Sequence, residues 1–497
     1  MITDNDEIHD LAVTALGAML QQFGPKHRFP PDAIWQQVPE NDLILSTKKP
    51  HQPKRLVKEG YLRDTGAKTR AQSGPRAGST TNLYEFGPVL APAHATAAPT
   101  TTVSVAAPAG TAPSAAAAAV SPSEALRAIQ EAMEAEGYLI SVAELANFFL
   151  AMTVSPLVIL SGISGTGKSL LPRKFAKRTS SKFHPIPVQP QWSDNSDLFG
   201  FVPTLSPTKF VEGKLIKGLR DAHDHPETLV IALLDEMNLA PVEHYFSDFL
   251  SVAESRERKG AKIGSDPLPI ELPAVPSAGL PDPEYDLRGI ELPSNLRVIG
   301  TANMDETTHS FSPKVLDRAF TIEFDDPDLT SFAPGTAAGT ATFEVLSNIV
   351  IDPANAISVL EASAVNQELF EHIAQRLSEI QDILSPAGIK FGYRTRDAIL
   401  LYLHFWRQLG LSDIMAGYAA LDFCILQKVL PKVSGSGEVL ADALNKLAAL
   451  LQASADTTAA VSGIAAEFAG PLERSHQKVS RMSEILKLDG STRYWGA

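Results

Sequence analysis

One cysteine, Cys424, occurs in the 497 residues, so no disulfide framework can form within the chain, and a reducing compartment is expected. Cys424 lies in the apolar run Leu421-Asp422-Phe423-Cys424-Ile425-Leu426 and reads as a small core residue rather than a nucleophile. No uninterrupted apolar run approaches the ~20 residues that cross a bilayer; the Ala-rich stretch near 105–120 is broken by Pro and Gly. The first residues are acidic (Asp4, Asp6, Glu7, Asp10) and lack the basic start and apolar stretch of a signal peptide, so a cytoplasmic location is expected. An overall positive charge is missing too: the formal net charge is −14, which favours solubility and gives no general attraction to nucleic acid. No zinc-ligand spacing occurs, nor any sequence-evident nuclease or protease constellation. What is present is ordinary apolar content, 44%, in a chain long enough for roughly two to four domains.

The chain is organised around Leu157-Val158-Ile159-Leu160-Ser161-Gly162-Ile163-Ser164-Gly165-Thr166-Gly167-Lys168-Ser169. Four apolar residues read as a buried strand, and Gly162 to Ser169 fit G-x-x-x-x-G-K-[ST], the phosphate-cradling P-loop. Its glycines let successive N–H groups converge on an anion. Lys168 is expected to reach the outer phosphates and Ser169 to ligate Mg²⁺, with a helix starting near Gly167 adding its positive end. A second apolar strand, Leu229-Val230-Ile231-Ala232-Leu233-Leu234, ends in Asp235-Glu236 about 67 residues later. That is a Walker B pattern: Asp235 for Mg²⁺, Glu236 to polarise the attacking water. A third strand, Leu296 to Ala302, ends in Asn303, an amide suited to the γ-phosphate or the lytic water. Arg318 closes a short helix, Ser312–Asp317, either as a finger for a neighbouring subunit's phosphate or in an ordinary ion pair.

In chain order, a helical stripe over 4–23, a helix over 32–38 and a third from 46 to 60 are expected, then a strand at Tyr61–Arg63 paired with Asn82–Phe86. Three helices followed by a hairpin give a winged-helix-like domain over 1–87. Residues 47–76 hold nine bases (Lys48, Lys49, Lys54, Arg55, Lys58, Arg63, Lys68, Arg70, Arg76) against two acids, Glu59 and Asp64, which suits DNA contact through 46–86 or a protein-docking face. Residues 88–123 carry no Lys, Arg, Asp or Glu and repeat proline at 92, 99, 108 and 113; they read as a flexible, disordered tether. Ser121-Pro122-Ser123-Glu124 opens a capped helix. Then come a strand at Phe183–Val188, a polar segment over 189–201 with large exposed aromatics, and a helix Val242–Arg256. On that helix His244, Tyr245 and Asp248 face solvent or a partner subunit. An insertion is expected over 260–294. The α/β nucleotide-binding core thus spans 124–330. From 331 to 497 the pattern is helical, with a stripe Leu369, Ile373, Leu377, Ile380, Leu384 and helices over 395–409, 412–430 and 437–455. Arg394, with Arg396 as the fallback, opens one of them and is expected to fold back on the nucleotide of its own subunit.

The ordered set Gly162–Ser169, Asp235-Glu236, Asn303, Arg318 and Arg394 in a helical lid resembles an AAA+ ATPase core over about 124–430. Within AAA+ it is similar to the McrB branch of restriction motors. The residues carrying this are Gln191-Trp192-Ser193-Asp194, Asp197-Leu198-Phe199-Gly200, Leu234-Asp235-Glu236-Met237-Asn238-Leu239-Ala240, Val242-Glu243-His244-Tyr245-Phe246, Gly300-Thr301-Ala302-Asn303-Met304-Asp305-Glu306-Thr307-Thr308-His309 and Val315-Leu316-Asp317-Arg318-Ala319. Where founding members read Met-Asn-x-x-Asp-Arg-Ser, this chain has Asn303-Met304-Asp305-Glu306-Thr307, so ATP or mixed use is expected in place of the family's GTP preference. The resemblance implies a hexameric ring with ATP or GTP and Mg²⁺ between subunits, a separate McrC-like nuclease partner, and a target-choosing domain before the motor. A MoxR-like remodeller of a protein client is the alternative.

Overall fold

A computed structural model describes residues 62–70, 80–86, 120–260, 262–274, 282, 284–304, 308–325, 329–330, 341–453 and 463–496. Two units separate, Met1–Pro113 and Ser114–Ala497. In the first, β1 (Leu62–Arg70) pairs antiparallel with β2 (Thr80–Phe86), in register from Leu62↔Phe86 to Arg70↔Thr80 with one irregularity between Asp64 and Lys68. Both strands run longer than the sequence pattern marked. The three helices expected over 4–60 and most of the 88–123 tether lie outside the described residues.

The second unit opens with α1 (Pro122–Ala135) and α2 (Val142–Val154). Each is started by a capping box, Ser121 with Glu124 and Ser141 with Glu144. In each, the serine takes an orphan helix N–H and the glutamate returns to the serine N–H. Next come β3 (Leu157–Gly162), α3 (Leu170–Arg178), β4 (Lys182–Pro187), the short α4 (Ser196–Phe199), α5 (Ile216–Asp224) and β5 (Val230–Asp235). The expected helix Val242–Arg256 is broken at Phe246 into α6 (Val242–Tyr245) and α7 (Ser247–Glu254). The insertion begins earlier than expected, as a hairpin of β6 (Glu257–Lys259) with β7 (Lys262–Gly264). Then follow β8 (Leu296–Asn303), α8 (Pro313–Arg318) and β9 (Phe320–Glu323).

Strands β4-β5-β8-β3-β9 form one parallel sheet in that order. The β3 residues are all buried, as a strand covered on both faces requires; hence the unbroken apolar runs in the sequence. Because β8 lies between β5 and β3, all three strand ends open on one crevice, where α/β sheets bind ligands. The register Gly162↔Asn303 and Leu234↔Gly300 sets the P-loop, Asn303 and Asp235-Glu236 side by side. This is an α/β P-loop fold with a helical C-terminal region.

That region holds α9 (Glu344–Ile351), α10 (Val359–Val365), α11 (Gln367–Leu384), α12 (Tyr393–Gln408), α13 (Gly417–Lys428), α14 (Glu438–Ala453), α15 (Ile464–Glu467) and α16 (Glu473–Asp489). The stripe Leu369, Ile373, Leu377, Ile380, Leu384 is buried. A 3₁₀ turn at Leu411–Asp413 delays α13 to Gly417. Buried Asp422 accepts the N–H groups of Arg474 and Ser475 at 2.8 and 2.9 Å, capping α16 from a neighbouring helix. The short strands β10 (Ser434–Ser436) and β11 (Ser491–Arg493) close the region. Cys424 is fully buried, and that burial raises its thiol well above the ordinary value.

Candidate nucleotide-hydrolysing site

The P-loop follows β3 with three glycines at positive φ: Gly162 (137°), Gly165 (87°) and Gly167 (86°). A side chain at Gly162 would come 2.5 Å from the Phe324 carbonyl oxygen, and one at Gly167 would come 2.7 Å from the Tyr138 ring. Both positions therefore need glycine twice over, for φ and for space. The Ile163 N–H donates to Asp325 Oδ1 at 3.1 Å, and Thr166 Oγ1 donates to the Ile163 carbonyl at 3.0 Å; Ile163 itself is exposed. Lys168 is buried, its ammonium donating to the carbonyls of Gly162 (3.0 Å) and Ile163. Burial lowers its pKa, opposed by Asp325, Asp235 and Glu236. The first helical turn bonds back to Gly167 O, and regular α3 begins at Leu170.

Asp235 Oδ1 receives two hydroxyls, Ser169 Oγ at 2.6 Å and Thr301 Oγ1 at 2.8 Å. Thr301 Oγ1 in turn accepts the Glu236 N–H at 2.9 Å. Glu236 stands in the left-handed region, φ 55° and ψ 49°, a conformation that costs a non-glycine residue about 1–3 kcal/mol and clusters at functional sites. Asn303 Nδ2 donates to Glu236 Oε1 at 3.1 Å. Behind it, buried Asn238 donates to the Asn303 carbonyl at 2.7 Å. Ser164, Gly165, Gly167, Lys168, Ser169, Leu170, Asp235, Glu236, Thr301 and Asn303 line one cavity of about 280 Å³. A larger groove of about 470 Å³ against Phe343, Val345 and Ile349 carries Glu344 and Asp352, acids that repel an anion.

A family profile described as an AAA domain of the dynein-related subfamily matches residues 157–319, the segment that holds this whole arrangement. Residues 157–319 are an AAA+ ATPase domain. A second profile, a domain of unknown function (DUF8727), matches 349–491. No curated protein matches the chain. A crystal structure of a candidate ATPase from Cytophaga hutchinsonii is similar over 62% of this chain and 87% of that one, at 14% identity and a TM-score of 0.39.

The AAA+ domain brings together the P-loop residues, Asp235, Glu236 and Asn303. It leaves both arginines outside the cavity lining. Arg318 donates to Glu254 on α7 and to the Lys314 carbonyl at 2.8 Å. Arg394, at the start of α12, pairs with the same Glu254. Arg394, expected to fold back on its own nucleotide, stands beside Arg318, because α12 begins next to the end of α7. Arg396 pairs with Asp397 and lies over the Tyr393 ring.

Two expectations are corrected. Trp192 and Phe199 are buried, and only Phe201 of that segment's large aromatics is exposed. Tyr245 is buried too, its hydroxyl donating to the Met237 carbonyl at 2.7 Å and its ring edge-on to Trp192. These aromatics pack the segment after Walker B onto the core. His244 is exposed, whereas Asp248 accepts from Asn195. Thr301, Tyr138, Asp325 and Glu254 are site or site-supporting residues that sequence reasoning did not mark; only Thr301 had a signal, two positions before Asn303 on the same strand.

The donor chemistry fits Mg²⁺: a hydroxyl and a carboxylate, hard oxygens, converge at Ser169 and Asp235. Bound there, the ion would neutralise phosphate charge; its binding groups come from the loop after β3 and the end of β5, two strands that flank β8.

Proposed function

We propose that the chain is an NTP-driven ring motor, hexameric and using ATP or GTP with Mg²⁺. Its turnover serves DNA restriction or antiphage defence beside a separate McrC-like nuclease subunit. The observation that supports hydrolysis rather than mere binding is Glu236, oriented by Asn303 at 3.1 Å and held from behind through Thr301. In the reaction, Lys168 and the loop N–H groups hold the outer phosphates. Water adds to the γ-phosphorus, the bond to the β-bridging oxygen breaks, and Glu236 takes the water's proton, leaving nucleoside diphosphate and phosphate. Arg318 acts on the nucleotide of the adjacent protomer, and we place Arg394 with it rather than with its own P-loop. The nine bases against two acids over 47–76 support a DNA-binding role for the segment before the motor.

The test is turnover of ATP and of GTP by the purified chain with Mg²⁺, alone and with DNA and the nuclease encoded beside it. Glu236→Gln is expected to keep nucleotide binding and lose about 10²–10⁴ in turnover. Lys168→Ala is expected to lose binding. Turnover that ignores DNA and the nuclease, with a protein client retained by Glu236→Gln, would overturn the restriction role in favour of a MoxR-like remodeller. Glu236→Gln with normal turnover would overturn the assignment of the base.

A further inference from the structure

Lys428, the last residue of α13, is buried at 2% exposure within the region matched by DUF8727. Its ammonium donates to three backbone carbonyls: Leu316 at 3.3 Å, Asp317 at 2.9 Å and Ala319 at 2.6 Å. It also lies 5.1 Å from the Phe320 ring centroid. Those carbonyls belong to the last turn and cap of α8, whose final residue is Arg318. A six-residue helix leaves its C-terminal carbonyls without intrahelical partners and concentrates negative dipole there. Lys432 grips the same turn from the outer side, pairing with Asp317 and donating to Thr395 Oγ1 at 2.6 Å. Burying an ammonium is costly, and an apolar side chain of similar volume would fill the space without that cost. What the ammonium adds is direction, because three carbonyls converging on one charge fix the turn of α8 that carries the arginine.

We propose that Lys428 is a positioning residue for Arg318, locking the end of α8 from the C-terminal domain so that the guanidinium meets the nucleotide of the adjacent protomer. This rests on the reading of Arg318 as a finger in trans. The C-terminal domain then does more than cover the core: it sets the arginine that completes another subunit's site.

The experiment compares Lys428→Met, Arg318→Ala and the double variant for fluorescent-nucleotide affinity and for turnover. Lys428→Met is expected to bind nucleotide within about twofold of the unmodified chain. Turnover should fall about 10²-fold, the order lost when a reacting group is misplaced by an ångström. It should lower turnover no further in the Arg318→Ala background. Mixing it with Lys168→Ala chains, which keep an intact finger and lack a working P-loop, is expected to restore turnover at least about tenfold, part of the finger's full contribution. Should Lys428→Met fail to fold, Lys428→Gln, which keeps one donor, goes through the same mixing. Full turnover in the variant overturns the proposal, as does a loss that mixing does not repair and that compounds with Arg318→Ala. Normal turnover in Arg318→Ala sinks the finger reading itself, whereas a dead Arg318→Ala beside an active Lys428→Met removes only the role given to Lys428.

Discussion

Glu236 holds its backbone in a region that side chains avoid, and one hydroxyl keeps it there. Thr301 Oγ1 accepts the Glu236 N–H and donates to Asp235, so a single group fixes both Walker B acids. Thr301→Val keeps the shape and removes the hydroxyl. It leaves a part-buried N–H without its acceptor, a cost of about 1–3 kcal/mol. We expect kcat to fall while KM for nucleotide stays within about twofold, since the phosphate-holding loop is untouched and the loss is confined to the transition state. A KM rise with unchanged kcat would contradict this. Lys428 gives a second residue-scale expectation. Burial first, then Lys432 and Arg394, press its pKa down to about 7, against Asp317 and Cys424, which raise it. The unfolded chain therefore binds the extra proton between about pH 7 and the ordinary lysine value. Lys428 makes folding stability rise with pH across that window, by at most about 1.4 kcal/mol per pH unit. Urea midpoints from pH 7 to 10 should climb more steeply for the unmodified chain than for Lys428→Met; parallel curves would show that the ammonium is not held down.

Between elements, register is what assembles the site. Gly162↔Asn303 and Leu234↔Gly300 bring together residues whose chain separation gives no hint of contact. The motifs were nevertheless legible, because a parallel strand buried on both faces must be apolar throughout, and each functional group follows directly on such a run. Tyr138, Asp325, Glu254 and Lys428 were not legible, since each sits in an unremarkable local pattern and gains its role only from a partner far along the chain. The aromatics of 192–201 misled for the opposite reason: polar neighbours suggested exposure, while packing around Tyr245 buries Trp192 and Phe199. One pair ties the distant parts together. Lys478 on α16 meets Glu323 on β9 at 2.6 Å, with side chains 8% and 10% exposed. Lys478→Met leaves Glu323 buried without its Lys478 partner. Burial already holds that carboxyl up at about 8, so at neutral pH it is protonated and the cost is that of a buried polar group short of a partner, about 1–3 kcal/mol. Adding Glu323→Gln is expected to return more than half of that loss in urea unfolding. A double variant as unstable as the single one would mean that the lysine stem, not its charge, holds α16 to the sheet.

At the level of the whole molecule, the described cavity is chemically unfinished for phosphoryl transfer. Among the described residues, Lys168 is the one cation in its lining, whereas phosphoryl transfer gains about 10³–10⁵ from an arginine at the transferring phosphate. Arg318 and Arg394 are present but gathered on Glu254, outside that lining. On the proposed ring reading, a second copy of the chain would supply the missing charge without any new group, and turnover would be a property of the assembly. Specific activity per chain is therefore expected to rise with protein concentration and to fall on dilution, in step with the loss of oligomer seen by sedimentation. Nucleotide affinity should change far less, because the phosphate-holding groups all belong to one protomer. Arg318→Ala chains mixed in as a minority should depress turnover, since each one disables the pocket facing it while its own pocket stays served by its neighbour. Constant specific activity down to concentrations at which sedimentation finds only single chains would show that one protomer completes its own site, and would move Arg318 out of the chemistry.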